Sequence, residues 1–313
     1  MGRKWEGFGS LRWPSCSFGE KDLYRSEQAD RCGDLSWVGI STPNVAAGLK
    51  TFNATRYAEI SFANPSNEPC APNGTVSESE EGLRWDAISQ VAALLKSNVA
   101  DRPLAALRVE AVFLTMQGGD LQTYINAIHP LATLANGKPA YDGYLLKSPA
   151  APVRISQCAT APAANDPRRA IRKTNVPVIA VVAQGEVVDA VPFRRADSDA
   201  PDDKFRLYEV SGAGHIDKSA YGGFPLLPDQ IAAVGSAQGN PEWPFNVTCE
   251  PPIPMMSVPL MSYVFDAAFA SLEQWARKGT PAPRAERIQI ANPGAPGATA
   301  VVDADGHGRR RIW

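Results

Sequence analysis

Arg108-Val-Glu-Ala-Val-Phe-Leu-Thr-Met-Gln-Gly-Gly-Asp-Leu-Gln-Thr-Tyr-Ile-Asn-Ala127 decides how the rest of the chain is read. Val109 to Leu114 is a short β-branched and apolar run, the pattern of a buried strand. Gly118 and Gly119 mark a sharp turn, and Gly119 to Ile128 follows with the apolar spacing of an amphipathic helix. Between strand and turn stands a hydroxyl, Thr115. A nucleophile presented at such a strand-to-helix turn gains from the free N–H groups and positive dipole end of the helix behind it.

Two further segments repeat the strand-then-polar-residue pattern. Val176-Pro-Val-Ile-Ala-Val-Val-Ala-Gln-Gly-Glu186 is a near-continuous apolar run, as in a parallel strand covered on both faces, and it ends in a carboxylate. Phe205-Arg-Leu-Tyr-Glu-Val-Ser211 alternates as a strand nearer the sheet edge does, and leads into Gly212-Ala-Gly-His-Ile-Asp217. Hydroxyl, acid and histidine thus follow three separate strands, in the chain order found in α/β-hydrolases. Open parallel sheets gather their active-site loops at the carboxyl ends of strands. Thr115, Glu186 and His215 are therefore the candidate nucleophile, acid and base. Asp189 competes with Glu186 but lies farther from the strand end. His129, before Pro130, reads as a capping or packing residue, and His307, in an arginine-rich tail, as solvated.

Outward from these segments the chain alternates strands and helices. Asp34–Ser41 reads as a strand, Asn44–Phe52 as a short helix and residues 62–82 as an exposed loop. A helix is expected at Trp85–Lys96, with Ile88, Val91, Ala92 and Leu95 on one face. Tyr141–Lys147 reads as a strand. The mixed charges between Arg194 and Asp203 read as a solvated face or an ion-pair network fixing the histidine loop. The Pro-rich stretch 225–260 reads as a lid or cap. Ser262–Lys278 has Val264, Ala268, Leu272 and Trp275 on one stripe, and Gly279-Thr-Pro-Ala-Pro283 stops the helix. The expected fold class is α/β, a mostly parallel sheet flanked by helices. The expected organisation is an unpatterned segment over 1–34, one domain over 35–300 and a tail over 301–313.

Composition sets outer limits. A net charge of −2 over 313 residues offers no electrostatic case for nucleic acid or an anionic membrane. No apolar run reaches the roughly 18 residues that span a bilayer. The first residues lack the apolar core of a secretory signal, so the expected location is cytoplasmic or unknown. Cys16, Cys32, Cys70, Cys158 and Cys249 include no CxxC, which argues against a metal cluster. Either all are free thiols or one pair, Cys158 with Cys249, forms a bridge in an oxidising compartment. Gln117-Gly-Gly-Asp120 lacks the spacing of a phosphate loop, and Asp120 repels an anion.

Several segments, in order, resemble the "alpha/beta hydrolase domain-containing" branch of the α/β-hydrolase superfamily. They are Thr123-Tyr-Ile-Asn-Ala-Ile-His-Pro130, Tyr141-Asp-Gly-Tyr144, Arg195-Ala-Asp-Ser-Asp-Ala-Pro201, Phe205-Arg-Leu-Tyr-Glu-Val-Ser-Gly-Ala-Gly-His215 and Leu272-Glu-Gln-Trp-Ala-Arg-Lys-Gly-Thr-Pro-Ala-Pro283. The resemblance implies a carboxylesterase or related acyl hydrolase that needs no metal and no cofactor, takes a small ester-like molecule and leaves export open. It places the family's serine on Thr115, its acid on Glu186 and its histidine on His215. The elbow departs from the family's Gly-x-Ser-Gln-Ser/Thr-Gly/Ala, reading Phe113-Leu-Thr-Met-Gln-Gly118. The methyl of Thr115 restricts its rotamers in a strained turn, and Phe113 replaces a glycine that lets strand and helix approach. The expectations are a degenerate active site of weak or lost activity, or a binding module that keeps the pocket without the chemistry. The ends also depart from the family, so a truncated copy is expected, with unpaired sheet edges that invite oligomerisation.

Overall fold

A computed structural model describes residues 40, 43–97, 99–100, 109–116, 118–163, 166–215 and 260–310. The segment over 1–34, nearly all of the strand expected at 34–41, the cap expected over 225–259, and Cys16, Cys32 and Cys249 lie outside the described residues.

The sheet is built from β1 (Phe113–Leu114), β2 (Gly143–Lys147), β3 (Val178–Ala183), β4 (Ser198–Ala200) and β5 (Asp203–Val210), in the order β1-β2-β3-β5-β4. Every pairing is parallel except β4 with β5. All six residues of β3 are fully buried, as its unbroken apolar run requires. Alternation across the pleat then sends its side chains into two cores. Val178, Ala180 and Val182 join Trp85, Ile88 and Ala92 of α2 (Leu83–Lys96) and Leu121 of α3 (Gly118–Thr123). Ile179, Val181 and Ala183 join Ala268, Leu272 and Trp275 of α4 (Leu260–Lys278). Helices cover both faces, as the alternating pattern implies. A first helix, α1 (Pro43–Phe52), precedes them.

Three elements are shorter or more distorted than the sequence suggests. The run 109–114 enters the ladder only at Phe113, because Asp142 takes the preceding position: its carboxylate accepts from the Val112 N–H at 2.7 Å. For the same reason β2 starts at Gly143 rather than Tyr141. The helix after Thr115 is α-helical to Thr123 and then widens into a π turn over Tyr124–Ile128, closed by His129 N–H donating to the Tyr124 carbonyl.

Phe113 does not crowd the turn. It pairs in register with Gly143 of β2, and a side chain at Gly143 would meet the Phe113 ring at 3.2 Å and Leu272 at 3.0 Å. The phenyl ring fills that space and packs edge-on against Phe269 of α4 at 5.4 Å. Gly143 on the neighbouring strand makes the room that the Phe113 ring takes.

The charges between Arg194 and Asp203 form ion pairs around β5. Arg194 holds the buried Glu209 through two bonds of 2.7 and 2.6 Å, and Arg195 holds Asp203 likewise at 3.0 and 2.7 Å. Arg206, almost wholly buried, donates to Asp199 and to the Ala282 carbonyl while lying over the Trp275 ring at 4.7 Å. Paired charges with further hydrogen bonds are the form in which such groups tolerate burial.

The disulfide expectation is corrected. Cys158 is bonded to Cys70, not to Cys249. The reason is how the 62–82 loop lies against residues 154–158: Arg154 grips Glu81 at 3.1 and 3.0 Å, the Gln157 N–H donates to Glu80 at 2.8 Å, and the Trp85 indole donates to the Ile155 carbonyl at 2.8 Å.

Candidate functional site

The four parallel strands end on one rim, and each is followed by a polar residue singled out by its position or contacts. Thr115 comes directly after β1 and Ser148 directly after β2. Glu186 closes a 3-10 turn, Gln184–Glu186, that begins where β3 stops. His215 lies five residues past Val210, the end of β5.

Glu186 and His215 meet. The imidazole Nδ1 lies 2.5 Å from Glu186 Oε1, although the two residues belong to loops on different strands. The other carboxylate oxygen, Oε2, accepts from the Ser148 hydroxyl at 2.7 Å and from the Ala183 N–H at 3.3 Å. Both oxygens of this carboxylate are thus engaged. Asp189, the competing acid, is exposed. The imidazole is half-exposed at 59 %, and Nε2, on the far side of the ring, has no hydrogen-bond partner among the described residues.

The loop carrying His215 is aimed by Gln184. The Gln184 side-chain oxygen accepts from the Gly212 N–H at 2.7 Å and the Gly308 N–H at 2.6 Å, and its amide nitrogen donates to the Gly306 carbonyl at 2.7 Å. One side chain therefore ties the end of β3 to the His215 loop and to the turn at 303–308. That turn follows a C-terminal hairpin of β6 (Ile290–Ala291) and β7 (Thr299–Ala300), and an antiparallel bridge between Val302 and Gly308 closes it. Gly212 has φ of +74°, which favours glycine, and a side chain there would meet the His307 ring at 3.0 Å. The first glycine of Gly212-Ala-Gly-His215 is explained by both constraints.

Thr115 stands apart from this contact. It is exposed, and its hydroxyl bonds to no other described residue. With β2 between β1 and β3, two strand spacings of about 4.8 Å each separate its strand from that of Glu186. The turn after it is tightly built. A side chain at Gly118 would run into the Ser148 carbonyl and one at Gly119 into the Ala151 carbonyl, so the chain leaving β2 lies directly on the first turn of α3. Both glycines are required by that approach.

Sequence reasoning missed Ser148 and Gln184. Lys147-Ser148-Pro149 reads only as the end of a strand, and Gln184 only as a polar residue between Ala183 and Gly185. Their roles depend on contacts with residues 28 to 124 positions away.

The other two histidines are accounted for elsewhere. His129 is buried, with Nδ1 2.8 Å from the Tyr144 hydroxyl and Nε2 3.1 Å from Asn175 Oδ1. Burial holds its pKa below the ordinary histidine value, the Asn175 contact opposing only in part. His307 is exposed and gathers with Asp303 and Asp305, the one group of three prospective metal ligands among the described residues. Asp303 Oδ1 accepts from the N–H groups of Asp305 at 3.0 Å and His307 at 2.9 Å, so turn geometry alone draws these residues together.

Among the described residues no helix is long and apolar enough to cross a membrane. No curated protein and no solved structure matches the chain. A family model described as "Alpha/beta hydrolase domain" does match, over residues 23–309. That span takes in the whole five-stranded sheet, the turn after Thr115 and the Glu186–His215 contact, and by it the chain belongs to the alpha/beta hydrolase domain family.

Proposed function

We propose that this chain is an acyl hydrolase of the carboxylesterase type, with low turnover because its nucleophile is a threonine. Thr115 Oγ1 attacks the acyl carbon of a small ester while His215 Nε2 takes the hydroxyl proton. Glu186 holds Nδ1 and stabilises the imidazolium that forms. The proton passes to the departing alcohol as the ester C–O bond breaks. Water then attacks the acyl-threonine, gives its proton to His215 and releases the acid. Backbone N–H groups at the start of α3 are the donors assigned to the oxyanion. The scheme needs neither metal nor cofactor.

The observation that carries this reading is the 2.5 Å contact between His215 Nδ1 and Glu186 Oε1, with Nε2 left over for a substrate-side partner. A carboxylate on Nδ1 fixes the tautomer in which Nε2 accepts a proton. Hydrolysis of short p-nitrophenyl esters tests it. His215→Ala and Glu186→Ala are expected to lower kcat/KM by about 10³-fold or more. Thr115→Ser is expected to raise it at least ~10-fold by relieving χ1 crowding. Equal rates in all four proteins contradict the assignment.

One observation favours a second reading, a binding module without chemistry. The Thr115 hydroxyl has no hydrogen bond to Glu186 or His215, as a threonine that merely ends a strand would lack. Binding of an ester analogue with no hydrolysis by either the wild type or Thr115→Ser is the result that selects it.

A further inference from the structure

Three non-glycine residues among those described have a left-handed backbone: Asn73, Asn292 and Ser148. Asparagine tolerates that region, because its side chain bonds locally to the backbone; serine has less reason to be there. Strain of this kind persists where the surroundings impose it, and it concentrates at functional sites. At Ser148, with φ of +54°, two contacts impose it. The hydroxyl donates to Glu186 Oε2 at 2.7 Å, and the carbonyl lies where a side chain on Gly118 would otherwise be. One residue at the end of β2 thus touches the acid after β3 with its side chain and the turn after β1 with its backbone.

We propose that Ser148 is the positioning residue of this site: it fixes the rotation of the Glu186 carboxylate, and so the aim of His215, relative to the turn that carries Thr115. Its hydroxyl is the only side-chain donor that the described residues direct at Oε2; the Ala183 N–H is the other donor and, at 3.3 Å, the longer contact. With the hydroxyl gone, the carboxylate is free to turn about its last bond, and the Nδ1 hydrogen bond turns with it. Ser148 is not itself an acceptable nucleophile in this arrangement. It binds the carboxylate oxygen remote from the imidazole, and the nitrogen able to take its proton, Nε2, is on the far side of the ring.

The activity arm of the test rests on the acyl-hydrolase reading; the spectroscopic arm does not. In proton NMR spectra the His215 Nδ1–H, held by a carboxylate, is expected far downfield. Ser148→Ala keeps the Cβ, so it is expected to fold with Tm little changed, yet to broaden or lose that resonance. Ser148→Gly also lacks the hydroxyl but is at ease at positive φ; it is expected to lose the resonance with a Tm at or above wild type. In ester hydrolysis Ser148→Ala is expected to lower kcat about 10- to 100-fold with KM little altered, and to have no further effect in a Glu186→Ala background. An intact resonance in both variants overturns the proposal, as does a Ser148→Ala loss that is fully additive with Glu186→Ala. If Glu186→Ala loses activity and Ser148→Ala does not, the positioning role fails while the hydrolase reading stands. If the resonance is lost but no variant alters hydrolysis, the hydrolase reading fails and the positioning role stands.

Discussion

His129 shows how a single buried side chain links pH to stability here. Neutral, its Nε2–H donates to Asn175 and its Nδ1 accepts from Tyr144, so both nitrogens are satisfied without charge. Burial lowers its folded-state pKa. An unfolded histidine takes a proton near pH 6.5 and the folded one resists, so the unfolded chain binds more protons once the pH drops below that value. The contribution of His129 is therefore complete above pH 6.5 and declines as pH falls, with a limiting slope of about 1.4 kcal/mol per pH unit. Urea midpoints between pH 7.5 and 5 are expected to fall more steeply in the wild type than in His129→Gln; parallel curves contradict this. At this scale the sequence was legible where chemistry is scarce. Three histidines and one strand-end carboxylate narrow the choices, and Glu186 and His215 do meet. Ser148 was not legible, because a serine before proline is ordinary and its backbone angle is visible only in the structure.

Element by element, the periodic segments were the readable ones. The apolar run of β3, the stripe of α4 and the face of α2 each point where the packing puts them, since burial on one or both faces dictates the pattern. What periodicity could not supply was the exchange between strands. Phe113 at an elbow position looked obstructive until its partner in the ladder proved to be Gly143. The two positions are expected to be coupled. Gly143→Ala brings a methyl to 3.2 Å from the Phe113 ring and 3.0 Å from Leu272, and overpacking of this kind costs typically about 1–3 kcal/mol. In a Phe113→Ala background the cost of Gly143→Ala is expected to shrink by at least about 0.5 kcal/mol, read from chemical denaturation as a double-mutant cycle. Strict additivity contradicts the packing account.

Across the whole molecule, long-range ties hold the rim in place. The Cys70–Cys158 bond spans 88 residues and staples the 62–82 loop to the chain that has just left Ser148. A closed loop of that length restricts the unfolded chain by roughly 4–5 kcal/mol in the chain-entropy treatment. Treatment with a reductant, or Cys70→Ser, is expected to lower Tm by several degrees or more, and an unchanged Tm contradicts a structural role. Such a bond persists where thiols oxidise, which bears on the compartment in which the chain works. Its pairing was hidden in the sequence, because cysteine spacing says nothing about which loops lie together. The same holds for Gln184, whose partners are contributed by the loop after β5 and by the 303–308 turn. The proposed chemistry joins all three scales: in it, a hydroxyl on one loop is acted on by the acid–histidine pair of two others. A fluorophosphonate probe, followed by peptide mass spectrometry, tests it most directly. The account predicts a covalent adduct on residue 115, slow in the wild type, faster in Thr115→Ser and absent in His215→Ala; an adduct on another residue such as Ser148, or labelling of residue 115 indifferent to loss of His215, contradicts it.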